Sequence, residues 1–138
     1  SPGVKIGNKV IALTNSLITK DIPDNTIVAG IPAKPISIDG DVQAYKKLNP
    51  TEKYKLMQKF ATDFSKIQNV LIEFDDNQKT ISLGDKQLII NCSENYIDEK
   101  NDSTIFDVIK RTYTKKHKKL EIDFMRFVID YKIGFVPK

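Results

Sequence analysis

The chain has 138 residues and a formal net charge of 22 − 18 = +4, a length that suits one domain or a short piece joined to a small one. Hydrophobic residues make up 40% and charged residues 29%, which is typical of a folded domain, and no apolar run approaches the ~18 residues of a membrane span. Cys92 has no second cysteine to pair with, so a disulfide scaffold is excluded. Without a signal-peptide pattern, we expect a cytoplasmic protein.

Residues 1–37 carry apolar positions that recur every six residues. One row is Ile6, Ala12 and Ile18, and the other is Val4, Val10, Ser16 and Ile22. A period of six is neither the 3.6 of a helix nor the 2 of a strand. It indicates a parallel β-helix, in which each short strand forms one side of a coil. Gly7 and Asn8 suit the tight corners of such a coil. A short β-meander with chance periodicity is the alternative.

A single coil cannot bury its own apolar face, because repeat folds need several stacked units. Residues 4–22 supply only about one coil by this count. We therefore expect the chain to be the C-terminal portion of a longer protein, with the remaining coils preceding Ser1.

Residues 38–138 follow a different pattern, which predicts a small α+β domain. Asn49 as the cap, Pro50 at the first position and Glu52 at the third predict a helix over 50–68. The other predicted elements are a strand at 70–74, a turn at 75–77, a hairpin of 80–83 and 87–91 around Gly84 and Asp85, a loop over 92–102, a strand (or helix) over 104–110, a helix near 118–130 and a strand over 133–136.

The first region has a distinctive ending. It reads Pro2-Gly3-Val4-Lys5-Ile6-Gly7, then Ser16-Leu17-Ile18-Thr19-Lys20-Asp21, then Ile22-Pro23-Asp24-Asn25-Thr26-Ile27-Val28-Ala29-Gly30-Ile31-Pro32-Ala33-Lys34. This ending closely resembles the end of the left-handed β-helix in hexapeptide-repeat acyltransferases. The resemblance covers residues 1–37, and residues 38–138 resemble no family that we recognise. It implies the last coil of a left-handed parallel β-helix, closed by a loop within 1–37, followed by the α+β domain of 38–138.

The family transfers acyl groups, usually acetyl from acetyl-CoA, to a hydroxyl or amine, and it works as a trimer with CoA between neighbouring β-helices. By resemblance, Thr14 lies at the pantetheine arm, Thr19 and Lys20 lie near the adenine end, and Pro32 and Lys34 belong to the loop that closes over the nucleotide. A lysine suits the ribose phosphate of CoA as a mobile point charge. The alternative is that Thr19, Lys20 and Lys34 are solvated surface groups.

The chain also departs from the family pattern. Leu13-Thr14-Asn15 stands where the family commonly has Gly-Ala-Gly, and the greater bulk would narrow the pantetheine channel. The family's general base is a His on an earlier coil or loop, whereas His117 of this chain lies between lysines and matches no family motif. We therefore expect no catalytic residue in this chain. We expect no metal site either, because Cys92 and His117 lack ligand-spaced neighbours.

The resemblance implies a bacterial CoA-dependent acyltransferase, which we expect to be an O-acetyltransferase for a sugar or surface-polysaccharide precursor, and to which this chain contributes part of the donor site. A non-catalytic module for assembly or glycan binding is the alternative. The run 110–119 holds six cations around Tyr113, which would suit an anionic polymer. Its alternative is a solvated loop and helix start, and we expect no nucleic-acid partner.

Overall fold

The computed structural model describes residues 3–13, 15–95 and 102–138. It divides into two compact units, Ser1–Leu48 and Asn49–Lys138. The change of pattern predicted after residue 37 falls inside the first of these units. Each unit has its own sheet, of three strands in the first unit and six in the second.

The first unit holds a small sheet and one turn of helix. Its elements are β1 (Ile11–Ala12), β2 (Thr26–Ala29), β3 (Lys34–Ile38) and α1 (Gln43–Lys46). Strand β2 lies in the middle, with β1 parallel to it on one side and β3 antiparallel to it on the other. Helix α1 packs against β3. Neither β3 nor α1 was predicted from the apolar periodicity.

Two successive segments of this unit lie parallel, with paired residues separated by a constant number of positions. The paired residues are Ile6 with Ile22, Ile11 with Ile27, and Ala12 with Val28. Each pair is sixteen positions apart (22 − 6 = 27 − 11 = 28 − 12 = 16). The sequence repeats at the same distance, because residues 5–13 align with residues 21–29. The stacking repeat is therefore two residues shorter than three hexapeptides.

Carboxylates and backbone groups join the two segments at their corners. The Asp21 side chain accepts a hydrogen bond from the backbone N–H of Lys5 at 2.9 Å, and the Asp24 side chain accepts one from that of Asn8 at 2.7 Å. The backbone N–H of Gly7 donates to the carbonyl of Ile22 at 2.8 Å. The corner residues of the two segments, Lys9 and Asn25, are sixteen apart and both left-handed, with φ of 57° and 56°. The segments thus repeat each other in conformation.

Burial differs sharply between the two segments. Ile6 and Ile11 are 57% and 47% exposed, whereas their partners Ile22 and Ile27 are each 6% exposed. The residue types are equivalent, so the difference comes from position. The second segment lies between its neighbours, and the first forms an edge of the sheet. Each Å² of apolar surface that this edge leaves in water forgoes about 25 cal/mol of the stabilisation that burial would give.

Gly7 is required where the two segments approach most closely. A Cβ at this position would lie 2.5 Å from Oδ1 of Asp24 and 2.6 Å from its backbone nitrogen. We predict that Gly7→Ala destabilises the pairing by about 2 kcal/mol, the cost of overpacking. Hydrogen exchange at the amides of Ile22 and Asn25, which bond across the pair, should then be about 30-fold faster.

Gly134→Ala is the control, since Gly134 lies in the second unit and an added Cβ there meets no atom closer than Cδ1 of Ile129 at 3.4 Å. It should leave exchange at Ile22 and Asn25 unchanged. If Gly7→Ala also leaves these amides protected, the close approach of the two segments is not what holds them together.

The second unit begins with the helix α2 (Pro50–Gln68), and the prediction of this helix is confirmed. The Asn49 side chain accepts from the backbone N–H of Glu52 at 2.8 Å, and the Glu52 carboxylate accepts from that of Asn49 at 3.1 Å. This capping box satisfies two N–H groups that have no partner within the helix. The helix ends at Asn69, which is left-handed with φ 53°.

A six-stranded mixed sheet follows, and α3 lies near its end. The strands are β4 (Ile72–Asp75), β5 (Thr80–Leu83), β6 (Leu88–Asn91), β7 (Thr104–Asp107), β8 (Thr112–Tyr113) and β9 (Val136–Pro137), with α3 (Lys119–Ile129) between the last two. The strands lie in sequence order; β6–β7 and β8–β9 are parallel and the other pairs antiparallel. The predicted hairpin and second helix are confirmed. The last strand lies three residues later than predicted, and β8 was not predicted.

One face of this sheet forms the core of the second unit. Ile81 of β5, Ile90 of β6 and Phe106 of β7 lie opposite one another across neighbouring strands, and all three are fully buried. Phe124 of α3 packs edge-on against Phe106 at 5.0 Å and against Phe64 of α2 at 5.3 Å between ring centroids. One face of the sheet, formed by every second residue of its strands, therefore packs against the apolar faces of both helices.

Glu121 fixes the start of α3 inside this unit. The side chain is 1% exposed, and its carboxylate accepts from the Thr104 hydroxyl at 2.7 Å and from the backbone N–H groups of Lys116 and His117 at 2.8 Å and 3.1 Å. A buried carboxylate needs such donors, because an unsatisfied one is costly. The basic segment before α3 is thereby held against β7.

Candidate functional site

The site residues implied by the resemblance fall on two short pieces of the first unit. Thr19 and Lys20 lie on the bend that leads into the second parallel segment, and both are exposed. Pro32 lies in the turn between β2 and β3, and Lys34 begins β3 opposite Ala29; both are exposed. Thr14 lies outside the described residues.

Leu17 joins these two pieces through its backbone. Its N–H donates to the carbonyl of Gly30 at 3.0 Å, and its carbonyl accepts from the N–H of Ala33 at 2.7 Å. The turn that carries Pro32 is therefore bonded at both ends to the residue that precedes Thr19 and Lys20 by two and three positions. Gly30 has a φ of 105°, a conformation that favours glycine. The structure brings the two pieces side by side along the backbone.

Apolar side chains lie at the same place. Leu17 is 50% exposed and Ile31 is 68% exposed, one from each piece. Exposed lysines follow these two residues three positions later along the chain, Lys20 after Leu17 and Lys34 after Ile31. A surface of this composition offers contact to an apolar or aromatic group and attraction to an anion. A nucleotide carries both kinds of group, a planar base and phosphates.

Sequence reasoning missed Leu17, Gly30 and Ala33 as the groups that position this site. The signal was present, because Leu17 and Ala33 are sixteen positions apart, like the paired residues of the sheet. Aligning the chain with itself at this distance would have placed residues 17 and 33 together. The period of six did not reveal the pairing, because three hexapeptides span eighteen residues whereas the paired residues are sixteen positions apart.

The sequence of the first unit contains no histidine. His117 belongs to the second unit, where it is exposed and left-handed with φ 59°, and its backbone N–H bonds to Glu121. The left-handed backbone of His117 forms part of the loop that precedes α3. Among the described residues, no three His, Cys, Asp or Glu side chains are grouped so that they could hold a metal ion.

A second group of titratable side chains lies in the second unit, on α2 and directly after β4 and β6. Lys53 is 7% exposed, and its burial, together with the nearby Arg111 charge, lowers its pKa. The Tyr54 hydroxyl donates to the Asp76 carboxylate at 2.7 Å, and burial, with this bond, raises the pKa of Tyr54. Cys92 is fully buried. Lys53, Tyr54 and Cys92 are buried in the second unit, whereas Asp76 is exposed.

Burial raises the pKa of Cys92 to about 12, with a smaller contribution from Asp107. Because the reactive species is the thiolate, the folded protein should react with iodoacetamide at pH 8 on the order of 10³-fold more slowly than the unfolded chain, whose thiol has a pKa near 9.0. The stability gained by keeping this thiol neutral is present below pH 9 and is lost as the pH rises to about 12.

Lys55→Cys provides an internal control, since Lys55 is exposed on α2. Mass spectrometry should find the new thiol labelled within the time that leaves Cys92 unmodified. Equal labelling of the two thiols in the folded protein would contradict the buried environment of Cys92.

The basic run 110–119 does not present the aromatic ring that polymer binding would use. Tyr113 is 6% exposed and stacks on Phe106 with ring centroids 5.3 Å apart and an interplanar angle of 11°. Lys118 pairs with Asp102 at 3.5 Å, and Lys119 pairs with Asp123 at 2.6 Å. The arrangement favours a loop held to the second unit over a stacking surface for nucleic acid.

None of the helices in the described part of the chain is both long enough and apolar enough to cross a membrane.

Short stretches of the chain are similar to two bacterial acetyltransferases. One match is 42% identical over 45 residues to a 2,3,4,5-tetrahydropyridine-2,6-dicarboxylate N-acetyltransferase of Staphylococcus aureus, covering 33% of this chain and 19% of the relative. The other is 52% identical over 33 residues to an Escherichia coli protein named “Putative lipopolysaccharide biosynthesis O-acetyl transferase WbbJ”, covering 24% of this chain and 17% of the relative.

The chain thus spans less than a fifth of the length of these curated relatives. No family model matches the chain. No solved structure matches it either.

Proposed function

We propose that the first unit contributes part of the acyl-CoA site of an acyltransferase. The observation that carries this proposal is the double backbone bond of Leu17 to the turn 30–33. It joins Thr19 and Lys20 to the turn that carries Pro32 and leads into Lys34. These are four of the five residues that the resemblance to hexapeptide-repeat acyltransferases assigns to CoA. Similarity to an N-acetyltransferase and to an O-acetyl transferase supports the same reaction class.

The chemistry of the surface suits this donor. CoA carries a ribose phosphate, which an exposed lysine attracts, and an adenine ring, which packs on apolar side chains such as Leu17 and Ile31. The pantetheine arm carries amides that pair with backbone groups along a strand edge. The general base and the acceptor site would come from other parts of the protein, because the first unit contains no histidine, the general base that the resemblance implies.

We further propose that the two parallel segments are the last coil of a left-handed β-helix. The constant offset of sixteen residues and the matching corners at Lys9 and Asn25 support a coil. The exposure of Ile6 and Ile11 on the outer segment supports an earlier coil stacked against it. In such an enzyme, which we take to be a trimer, CoA would lie between neighbouring β-helices.

For the acceptor we propose a sugar hydroxyl, as in a surface-polysaccharide precursor. Both the resemblance and the O-acetyl transferase relative support an oxygen acceptor. The N-acetyltransferase relative supports a nitrogen acceptor instead. An acetyl transfer assay with both classes of acceptor, on the protein in its full length, separates them by which product forms.

The donor site is tested by calorimetric titration of CoA and 3′-dephospho-CoA into the chain, with the oligomeric state followed by light scattering. If Lys20 and Lys34 meet the ribose phosphate, loss of that phosphate should weaken binding about tenfold, the value of one charge-assisted contact. The double variant Lys20→Ala/Lys34→Ala should bind both ligands equally, because it no longer senses the phosphate.

Lys46→Ala serves as the control, since Lys46 is an exposed lysine on α1. It should bind CoA as the parent chain does and keep the preference for the 3′-phosphate. A double variant that retains the full preference would show that these two lysines do not bind the nucleotide.

A further inference from the structure

Strand β4 is an edge of the six-stranded sheet, and within the described part of the chain it pairs with β5 alone. One bond beside the strand sets the direction of its backbone groups. The N–H of Gly84 donates to the carbonyl of Leu71 at 2.9 Å, and hydrogen-bonded positions alternate along an antiparallel pair. The backbone groups of Glu73 therefore face β5, whereas those of Ile72 and Phe74 face away from the sheet.

The opposite edge of the sheet, β9, is closed to a further strand. The N–H groups of Val136 and Lys138 bond to β8 and to the residue before it, so position 137 between them faces outward. Pro137 occupies this position and has no N–H to donate. Proline on an edge is a common means of preventing edge pairing. Strand β4 contains no proline, so its outward N–H groups can still donate.

One row of β4 side chains continues the core face of the sheet. Phe74 lies opposite Ile81 of β5, which is fully buried. Ile72 lies opposite Leu83, which is also fully buried. Phe74 itself is 46% exposed, because β4 is the last strand on this side. A strand added beyond β4 would cover this ring and extend the core face by one row.

The other row of β4 side chains is acidic. Glu73 and Asp75 lie on the face opposite to Phe74, since successive side chains of a strand alternate between faces. Both are exposed. Their direct cross-strand neighbours on β5 are a serine and a threonine, which carry no neutralising charge. A strand added beyond β4 would therefore meet an apolar row on one face and two carboxylates on the other.

We propose that β4 binds an extended segment of a partner protein in which lysine or arginine alternates with aliphatic residues. The backbone of this segment would bond to the outward groups of Ile72 and Phe74, as in other cases of strand addition. Its aliphatic side chains would cover Phe74, and its cations would lie beside Glu73 and Asp75. Opposite charges on neighbouring strands stabilise such a pair. The proposal does not depend on the acyl-CoA site, which lies in the first unit.

The charges of β4 disfavour a second copy of this chain as the occupant. Two β4 strands related by a two-fold axis must bring outward-facing residues opposite each other. Within β4, this sets Phe74 opposite either Ile72 or Phe74 of the second copy. The first register places Glu73 opposite Glu73, and the second places Glu73 opposite Asp75. Like charges directly opposite destabilise both registers, whereas a basic segment would neutralise the same carboxylates.

A ¹⁵N–¹H titration and amide hydrogen exchange on the chain test the proposal with a synthetic probe. The probe is the peptide Thr-Lys-Val-Lys-Val-Lys-Thr, acetylated and amidated at its ends. In the free chain, exchange should be fast at Ile72 and Phe74 and slow at Glu73, whose N–H bonds to β5. Saturating peptide should shift the amides of Ile72 and Phe74 and slow their exchange about tenfold, and should leave the first unit unchanged.

Two control peptides separate charge from backbone pairing. A peptide with glutamate in place of each lysine should bind about tenfold more weakly. A peptide with N-methylated valines keeps the side chains and charges of the probe but loses the N–H groups that would face β4, so it should not bind. Equal binding of all three peptides, or no shift in β4 at about 1 mM probe, would overturn the proposal.

Variants of the chain test the same contact from the other side. Glu73→Lys should weaken binding of the probe about tenfold. Asp130→Lys makes the same charge change at an exposed position after α3 and should leave binding unchanged. Phe74→Pro removes an outward N–H without removing a bond to β5 and should abolish binding, whereas Phe74→Ala keeps this N–H and should only weaken it.

Exchange in the absence of peptide reports on other occupants of the edge. Slow exchange of Ile72 and Phe74 that does not depend on protein concentration would show that this chain covers β4 itself. Slow exchange that appears as the protein concentration rises would assign the edge to a second copy. Either result would contradict the proposal of a basic partner strand.

Discussion

The first unit depends on the pairing of two parallel segments sixteen residues apart. Backbone bonds along the segments and the carboxylates of Asp21 and Asp24 at their corners join them. Gly7 permits the approach, since any side chain there would meet Asp24. The same offset continues to Leu17 and Ala33, so one stacking rule forms the sheet and also sets the position of the turn that carries Pro32 and Lys34.

This dependence gives the surface proposed to bind CoA a fixed backbone geometry without a buried site. Leu17 contributes two backbone bonds, and neither uses its side chain. The side chains of Leu17 and Ile31 are exposed, and each precedes by three positions a lysine that we assign to CoA. Backbone bonding fixes the geometry, which lowers the ordering cost of binding, while the exposed side chains supply the contacts.

Local signals predicted the second unit well and the first unit only in part. The capping pattern at Asn49 and the turn at Gly84 and Asp85 act within a few residues, so they identified α2 and the hairpin. The strand at Val136 and Pro137 forms by pairing with β8, and the periodicity of a sequence does not show which strands pair. Ile133, where the predicted last strand began, is buried without belonging to a strand. In the first unit, the apolar period of six predicted stacked segments. The distance between stacked residues is sixteen positions rather than eighteen, because it depends on the number of residues in the corners.

The central claim is that the acyl-CoA site lies on the two pieces joined by Leu17. A ¹⁵N–¹H correlation spectrum of the chain, recorded as CoA is added, tests it residue by residue. We predict that amide shifts concentrate at Thr19, Lys20 and the turn 30–34, and spare the second unit. Shifts that fall instead on the basic run 110–119, or that are absent at saturating CoA from the joined pieces, would contradict this assignment.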